Sequence, residues 1–301
     1  MGTLLAGAFL FLRFREPHYE GKSLDQWLAE LANTTLSENQ KALKRSAVVN
    51  EQEYKVWLDD ANTRHAHATK ALRAMGTNTL PHLLTLLHAQ DSRFKTELMR
   101  LSKKQSIFDF SFSLAADDIQ AAVDGFHALG DLGTPAIPQL IEALNKTNYL
   151  AYDIFALIAM GEPAIPALRK LLDDKDFHMR YGVAMNLGFF EADGRCFVPL
   201  ALERLQDEHK AVRQAAAQSL GRIGSDAEIV VPALIQALKD DNASVRWAAA
   251  KALIHYKPES NPIIIEAMTP LLSDPDPTVK RTIIMTLSQV ERGTTNAESR
   301  R

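Results

Sequence analysis

The chain has 301 residues, 46% of them hydrophobic and 24% charged, with a formal net charge of −3. This composition excludes a disordered or collagen-like chain, and the charge balance offers no bulk attraction for nucleic acid. Residues 41–104 hold 12 Lys and Arg against 6 Asp and Glu, and residues 105–301 hold 19 against 26; solvated helix faces account for this unevenness most simply. The single cysteine, Cys196, excludes an internal disulfide and a cysteine-pair zinc site.

Thr3 to Leu12, TLLAGAFLFL, is apolar without a break and ends at Arg13 and Arg15. A spanning helix needs about 20 apolar residues, so this segment covers roughly half a bilayer. It lacks the basic leader and small-residue cleavage site of a signal peptide. Three readings fit: the second half of a membrane anchor that begins upstream of Met1, an interfacial anchor, or a helix packed on the body of the protein. The absence of amphipathic patterning favours the first. Residues 1–15 are then a membrane tether acting through residues 3–12, the protein is membrane-associated, and the remainder is cytoplasmic.

Glu16 to Lys22 reads as an extended linker broken by Pro17 and Gly21. Ser23 is an N-cap, with Gln26 at the third helical position of a capping box. Leu24, Trp27, Leu28 and Leu31 form one helical stripe that needs a cover. Residues 16–60 are therefore expected to be a linker and capping helices, and residues 61–291 a repeat array.

The array announces itself by recurrence. VRQAAAQSLGRIG, from Val212, returns 33 residues later as VRWAAAKAL and is preceded at the same interval by MRYGVAMNLG. Each unit carries a Gly that ends one helix and a Pro that opens the next: Gly76 and Pro81, Gly133 and Pro138, Gly161 and Pro166, Gly224 and Pro232, with a looser Gly194 before Pro199. Each unit is thus helix A, a turn, and helix B. Apolar residues recur at the second, third and sixth positions after Pro, and helix A has a small centre, as in Ala215 to Ala217 and Ala248 to Ala250. One unit exposes both stripes; stacking buries them. Pro81 to Pro138 spans 57 residues, so an insertion lies at about 92–118, where an extra helix and the alternating Phe108, Phe110 and Phe112 are expected. Residues 292–301 read as a disordered tail.

The pattern D-x4-V-R-x-A-A-A-x-L-G-x-I-G followed by P-A-L-I-x-A-L resembles the HEAT-repeat superfamily, and more narrowly the bacterial phycobilisome-lyase HEAT-like repeats. The opening EPHYEGKSLDQWL is similar to that of membrane-anchored bacterial HEAT proteins of no assigned activity. The resemblance implies an all-α fold, a right-handed α-solenoid of stacked two-helix repeats. It implies little about function, since such modules serve many purposes.

Periodicity turns sequence spacing into rows. Arg180, Arg213, Arg246 and Lys280 form one; Asp174, Asp207, Asp240 and Asp274, six residues earlier each time, form another. The row of cations would suit an anionic partner. The stronger expectation is an inter-repeat brace, with the carboxylates capping helix A and each Arg pairing with an Asp of its own or an adjacent unit. The first and fourth positions after Pro line the expected B-helix groove: His82 and Thr85, Gln139 and Glu142, Ala167 and Lys170, Leu200 and Glu203, Ala233 and Gln236. Among these we take His82, Gln139, Glu142, Lys170, Glu203 and Gln236 as the binding residues. Their mixed signs suit a protein or peptide rather than a phosphate backbone.

No catalytic residue, cofactor or metal site emerges. No His is followed by Glu, as the resemblance to di-iron HEAT-like hydroxylases would require. His65 and His67 lie two apart on a helix and diverge. No nucleophile-elbow, phosphate-loop or zincin motif occurs. The reading is a non-catalytic interaction scaffold. The alternative is a bilin or tetrapyrrole lyase-like enzyme, or a chaperone, using the same repeats.

Overall fold

The computed structural model describes residues 17–34, 51–91, 115–146, 151–256 and 261–298. The chain divides into two compact units, Met1–Glu142 and Ala143–Arg301. Apart from one two-stranded ribbon, the described elements are helical.

The first unit opens with that ribbon, β1 (His18–Tyr19) paired antiparallel with β2 (Lys22–Ser23). Glu20 and Gly21 both take positive φ, 48° and 79°, which makes a tight two-residue hairpin of the stretch expected to be a linker. Helix α1 (Leu24–Thr34) follows directly. The capping box is present: the Ser23 backbone N–H donates to Gln26 Oε1 at 2.9 Å, and the Gln26 N–H to Ser23 Oγ at 3.4 Å. Leu24, Trp27, Leu28 and Leu31 are all buried. They pack on α2 (Glu51–Met75) and α4 (Ala115–Leu129), so α1 covers the first repeat.

Helix α2 is the A helix of that repeat and α3 (Leu80–Leu87) its B helix. Helix α4 stacks on both, and α5 (Ile137–Lys146) runs across the division between the units. The insertion expected at 92–118 lies outside the described residues up to 114. Its base is closed: the Ala115 N–H that begins α4 donates to Asp91 Oδ1 at 3.0 Å.

In the second unit the A helices are α6 (Ala151–Ala159), α8 (Phe177–Asn186), α10 (Lys210–Ile223), α12 (Ala243–Ala252) and α14 (Pro277–Glu298). From α8 onward each packs on the one before it. The B helices are α7 (Ile165–Leu172), α9 (Val198–Arg204), α11 (Ala227–Ala237) and α13 (Asn261–Met268). Ala215 to Ala217 and Ala248 to Ala250 are fully buried at the stacking surface. The approach is so close that a Cβ on Gly221 would lie 2.7 Å from the Ala252 backbone, and one on Gly188 2.7 Å from the Ser219 carbonyl. The fold is the all-α, two-helix repeat of the α-solenoid type.

Three expectations need correction. Gly133 does not end the helix before Pro138; α4 stops at Leu129 and Gly130 takes the positive φ of 54°, leaving Gly133 buried in a 3-10 turn. Helix α14 continues to Glu298, through most of the stretch read as a tail. Membrane association is overturned: among the described residues no helix is long and apolar enough to cross a membrane. The helices with sufficient length, α2 and α14, are interrupted by charged residues. Residues 3–12, on which that expectation rested, lie outside the described residues.

Candidate functional site

The row of arginines forms forward clamps. Arg180, in the first turn of α8, donates from Nε and Nη2 to Asp207 Oδ2 and Oδ1 at 2.9 and 3.0 Å. Arg213 holds Asp240 the same way at 2.7 and 2.8 Å, and Arg246 holds Asp274 at 2.8 and 2.9 Å. The remaining nitrogen turns back: Arg180 Nη1 donates to the carbonyls of Asp174 and Lys175, Arg213 Nη1 to those of Asp207 and Glu208, and Arg246 Nη1 to those of Asp240 and Asp241. Each guanidinium therefore joins its own A-helix entry to that of the following repeat. The forked, bidentate geometry is one that lysine does not reproduce.

The carboxylates sit two residues before the helix caps rather than at them. Asp174, Asp207, Asp240 and Asp274 accept the N–H of Asp176, His209, Asn242 and Asp276 at 2.8 to 2.9 Å. Those four residues then cap A helices by accepting from His178, Ala211, Ser244 and Thr278. Burial, the largest single influence, pushes the Asp207 and Asp240 carboxyls up, but the arginine hydrogen bonds, the backbone N–H donors and the arginine charge together hold both below the usual carboxylate range. At Asp274 the Arg246 hydrogen bond is the main cause of the same lowering. Lys280 ends the row; among the described residues it makes no ion pair, acting on Asp274 through its field alone.

A second set of bonds crosses the stack deeper in. Ser219 Oγ donates to the Ala184 carbonyl at 2.6 Å, Tyr256 Oη to that of Leu220 at 2.7 Å, and Thr286 Oγ1 to that of Ala250 at 3.3 Å. These and the clamps commit the A-helix polar groups they use to internal bonds.

The B-helix positions divide between the units. In the first, Gln139 and Glu142 are exposed, but His82 is half-buried and its Nε2 lies 2.7 Å from Asp25 Oδ1 on α1, so the cap engages it. In the second, Lys170, Glu203 and Gln236 are exposed at the same register of α7, α9 and α11. Glu203 is held by Arg169 from the preceding B helix. Leu200, expected in the groove, is instead 1% exposed, because α9 turns that position into the core. A further unit lacks the Gly marker of the others. Pro262 opens α13, 30 residues after Pro232, with no Gly before it to mark the turn, and it places Ile263 and Glu266 in the two groove columns. Ile263 is 59% exposed.

Two clefts lie at equivalent places between B helices. The one at α7 and α9, about 400 Å³, is polar: Arg204 donates to the Leu172 carbonyl at 2.8 Å and pairs with Asp173 at 3.2 Å. The one at α11 and α13, about 680 Å³, has an apolar floor of Ile235, Leu238, Ala267 and Leu271.

Among the described residues no group of three or more His, Cys, Asp or Glu is placed to hold a metal ion. Burial, followed by the charge of Glu162, pushes the Cys196 thiol up to about 11, so it stays protonated at neutral pH.

Comparison with known proteins agrees with the repeats. The HEAT repeats family matches residues 198–260 and 231–299, and the PBS lyase HEAT-like repeat matches residues 119–146. No curated protein matches the chain. Among solved structures, the complex of CpcE and CpcF of phycocyanin lyase from Nostoc sp. PCC7120 is similar at 23% identity and a TM-score of 0.44, covering 50% of this chain and 98% of that one. An engineered protein is similar at 19% identity and 0.42, covering 71% and 97%. A designed armadillo repeat protein in complex with the peptide (KR)4 is similar at 16% identity and 0.41, covering 70% and 99%. The stretches 119–146 and 198–299 are thus similar to HEAT-type repeats.

Proposed function

We propose that this chain is a non-catalytic interaction scaffold whose B-helix face holds a protein or peptide partner. One observation carries the reading. In the second unit the arginine clamps lock the A-helix entries together, while successive B helices present Lys170, Glu203, Gln236 and Glu266 outward at one register. A surface of mixed sign with apolar patches between suits a polypeptide. The alternative, a lyase-like enzyme, draws on the family match at 119–146 alone.

The test places a photoreactive side chain in the full-length protein, at Gln236 on α11 or at Gln218 on the A helix α10. The expected result is a discrete protein adduct from Gln236 and none from Gln218. Adducts from Gln218 alone, or turnover of a tetrapyrrole by the purified protein, would overturn the reading.

A further inference from the structure

The two equivalent clefts differ at three aligned positions, and that difference specifies a ligand. In the α7–α9 cleft the third residue after Pro166 is Arg169, and the fifth after Pro199 is Arg204. Both arginines are spent between α7 and α9: Arg169 on Glu203, and Arg204 on Asp173 and the Leu172 carbonyl. In the α11–α13 cleft the same positions carry Ile235 and Ala267. With both guanidinium groups gone the cleft is larger and its floor apolar. Glu266 stands where Glu203 stands but has no arginine against it, and Lys239 occupies the position of Asp173. Among the described residues neither Lys239 nor Glu266 has an ion-pair partner. Both line the cleft, Lys239 from the turn that follows α11 and Glu266 from α13. The nearby Arg246 and Asp274 are already committed to each other.

We infer that the α11–α13 cleft is the anchor site for a partner's peptide segment, one with a large apolar side chain flanked by a basic residue on one side and an acidic residue on the other. The basic residue meets Glu266 as Arg169 meets Glu203, the acidic residue meets Lys239, and the apolar side chain fills the floor beside Ile263. Charge complementarity selects a polypeptide over a small apolar molecule. A greasy ligand would leave both wall charges uncompensated, and the cleft is open enough to leave Ile263 more than half exposed. The inference rests on the B-face docking reading and narrows it to one cleft and one pattern of side chains.

The test uses the full chain and synthetic peptides with a single Leu, Phe or Trp anchor in four flank patterns: one acidic and one basic, both acidic, both basic, and neutral. Binding is read by fluorescence anisotropy. The mixed pattern is expected to bind about five- to tenfold tighter than either single-sign pattern, the size that two exposed charge pairs give. Lys239→Glu makes both walls acidic and should move the preference to the doubly basic peptides. Ile263→Asp, at a site exposed enough to leave the fold intact by circular dichroism, should abolish binding of all four. Equal binding of all patterns, an unchanged preference in Lys239→Glu, or binding only of an apolar dye would each overturn the inference. Gln236 crosslinking separates the two levels: adducts that persist while no peptide binds sink the cleft and spare the docking face, and their loss sinks both.

Discussion

In the first unit Arg73 reaches from the C-terminal end of α2 to the Leu129 carbonyl at 2.6 Å and to Asp131 at 2.8 Å. In the second, Arg180, Arg213 and Arg246 reach from the first turns of their helices to the following repeat. The same side chain solves the same problem at opposite helix ends, once in one unit and three times in the other. The first unit is further fastened by contacts with no periodic counterpart. Trp27 Nε1 donates to the Tyr19 carbonyl at 3.0 Å, Lys22 lies over the Trp27 ring, and His67 meets both that ring and Glu20. A terminal repeat has a neighbour on one side only, so its other face needs a bespoke cover; an inner repeat reuses one lock.

The largest effect should come from breaking that lock. The Arg180 and Asp207 side chains are 6% and 4% exposed, so Arg180→Ala strands a buried carboxylate and should cost about 3–5 kcal/mol. Native-state hydrogen exchange should show the loss across α8 and α10 and leave α1 to α3 unchanged. A uniform loss in both units would erase the distinction between them.

The next effect has opposite pH signatures in the two units. Asp124 on α4 is 5% exposed, and burial pushes its carboxyl up to about 6 against the opposing hydrogen bond from Gln120. A raised carboxyl contributes fully below its unfolded value of 3.8, and the contribution is lost as pH rises through about 6. Asp124→Asn should therefore stabilise the protein by about 1–3 kcal/mol at pH 7.5 and hardly at all at pH 4. The clamp carboxylates Asp207, Asp240 and Asp274 are lowered instead. Their contribution is present above the unfolded value near 3.8 and is lost as pH falls through the lower folded values. Thermal melts followed from pH 3 to 8 should separate the two behaviours.

The smallest effect concerns the cap. Ser23→Ala removes one half of the capping box on α1 and should cost about 0.5–1 kcal/mol. The loss should appear in exchange protection of the first unit alone.

The two units also differ in how much of them the residues alone disclose. The Asp and Arg rows stand out because they recur at a fixed interval, and interval is what a sequence displays directly. Which Asp each Arg takes is not displayed, since every Arg has one Asp behind it and one ahead. The choice follows from the fork, whose two parallel N–H groups fit the carboxylate of the next repeat while the remaining nitrogen satisfies carbonyls of its own. Gly133 fitted the Gly-to-Pro spacing of the other units, but α4 stops at Leu129 and Gly130 takes the positive φ, which the spacing does not display. The α13 unit went unread because HYKPESNP has no Gly before its Pro, and with it Ile263, the most exposed apolar residue of the groove, was missed. The hairpin and its Trp27 clasp are aperiodic, and no spacing rule reaches them. The pairing of His82 with Asp25, 57 residues away, is likewise beyond any spacing rule.

On the proposed function, the A helices hold the protein together while the B helices recognise a partner. The most direct measurement is the yield of crosslinked adduct from Gln236 in an Arg213→Ala background, taken at a temperature where circular dichroism shows that variant folded. A lowered melting temperature and an unchanged yield are expected. A yield that collapses while the helices remain intact would make the clamp part of the recognition surface and contradict the division.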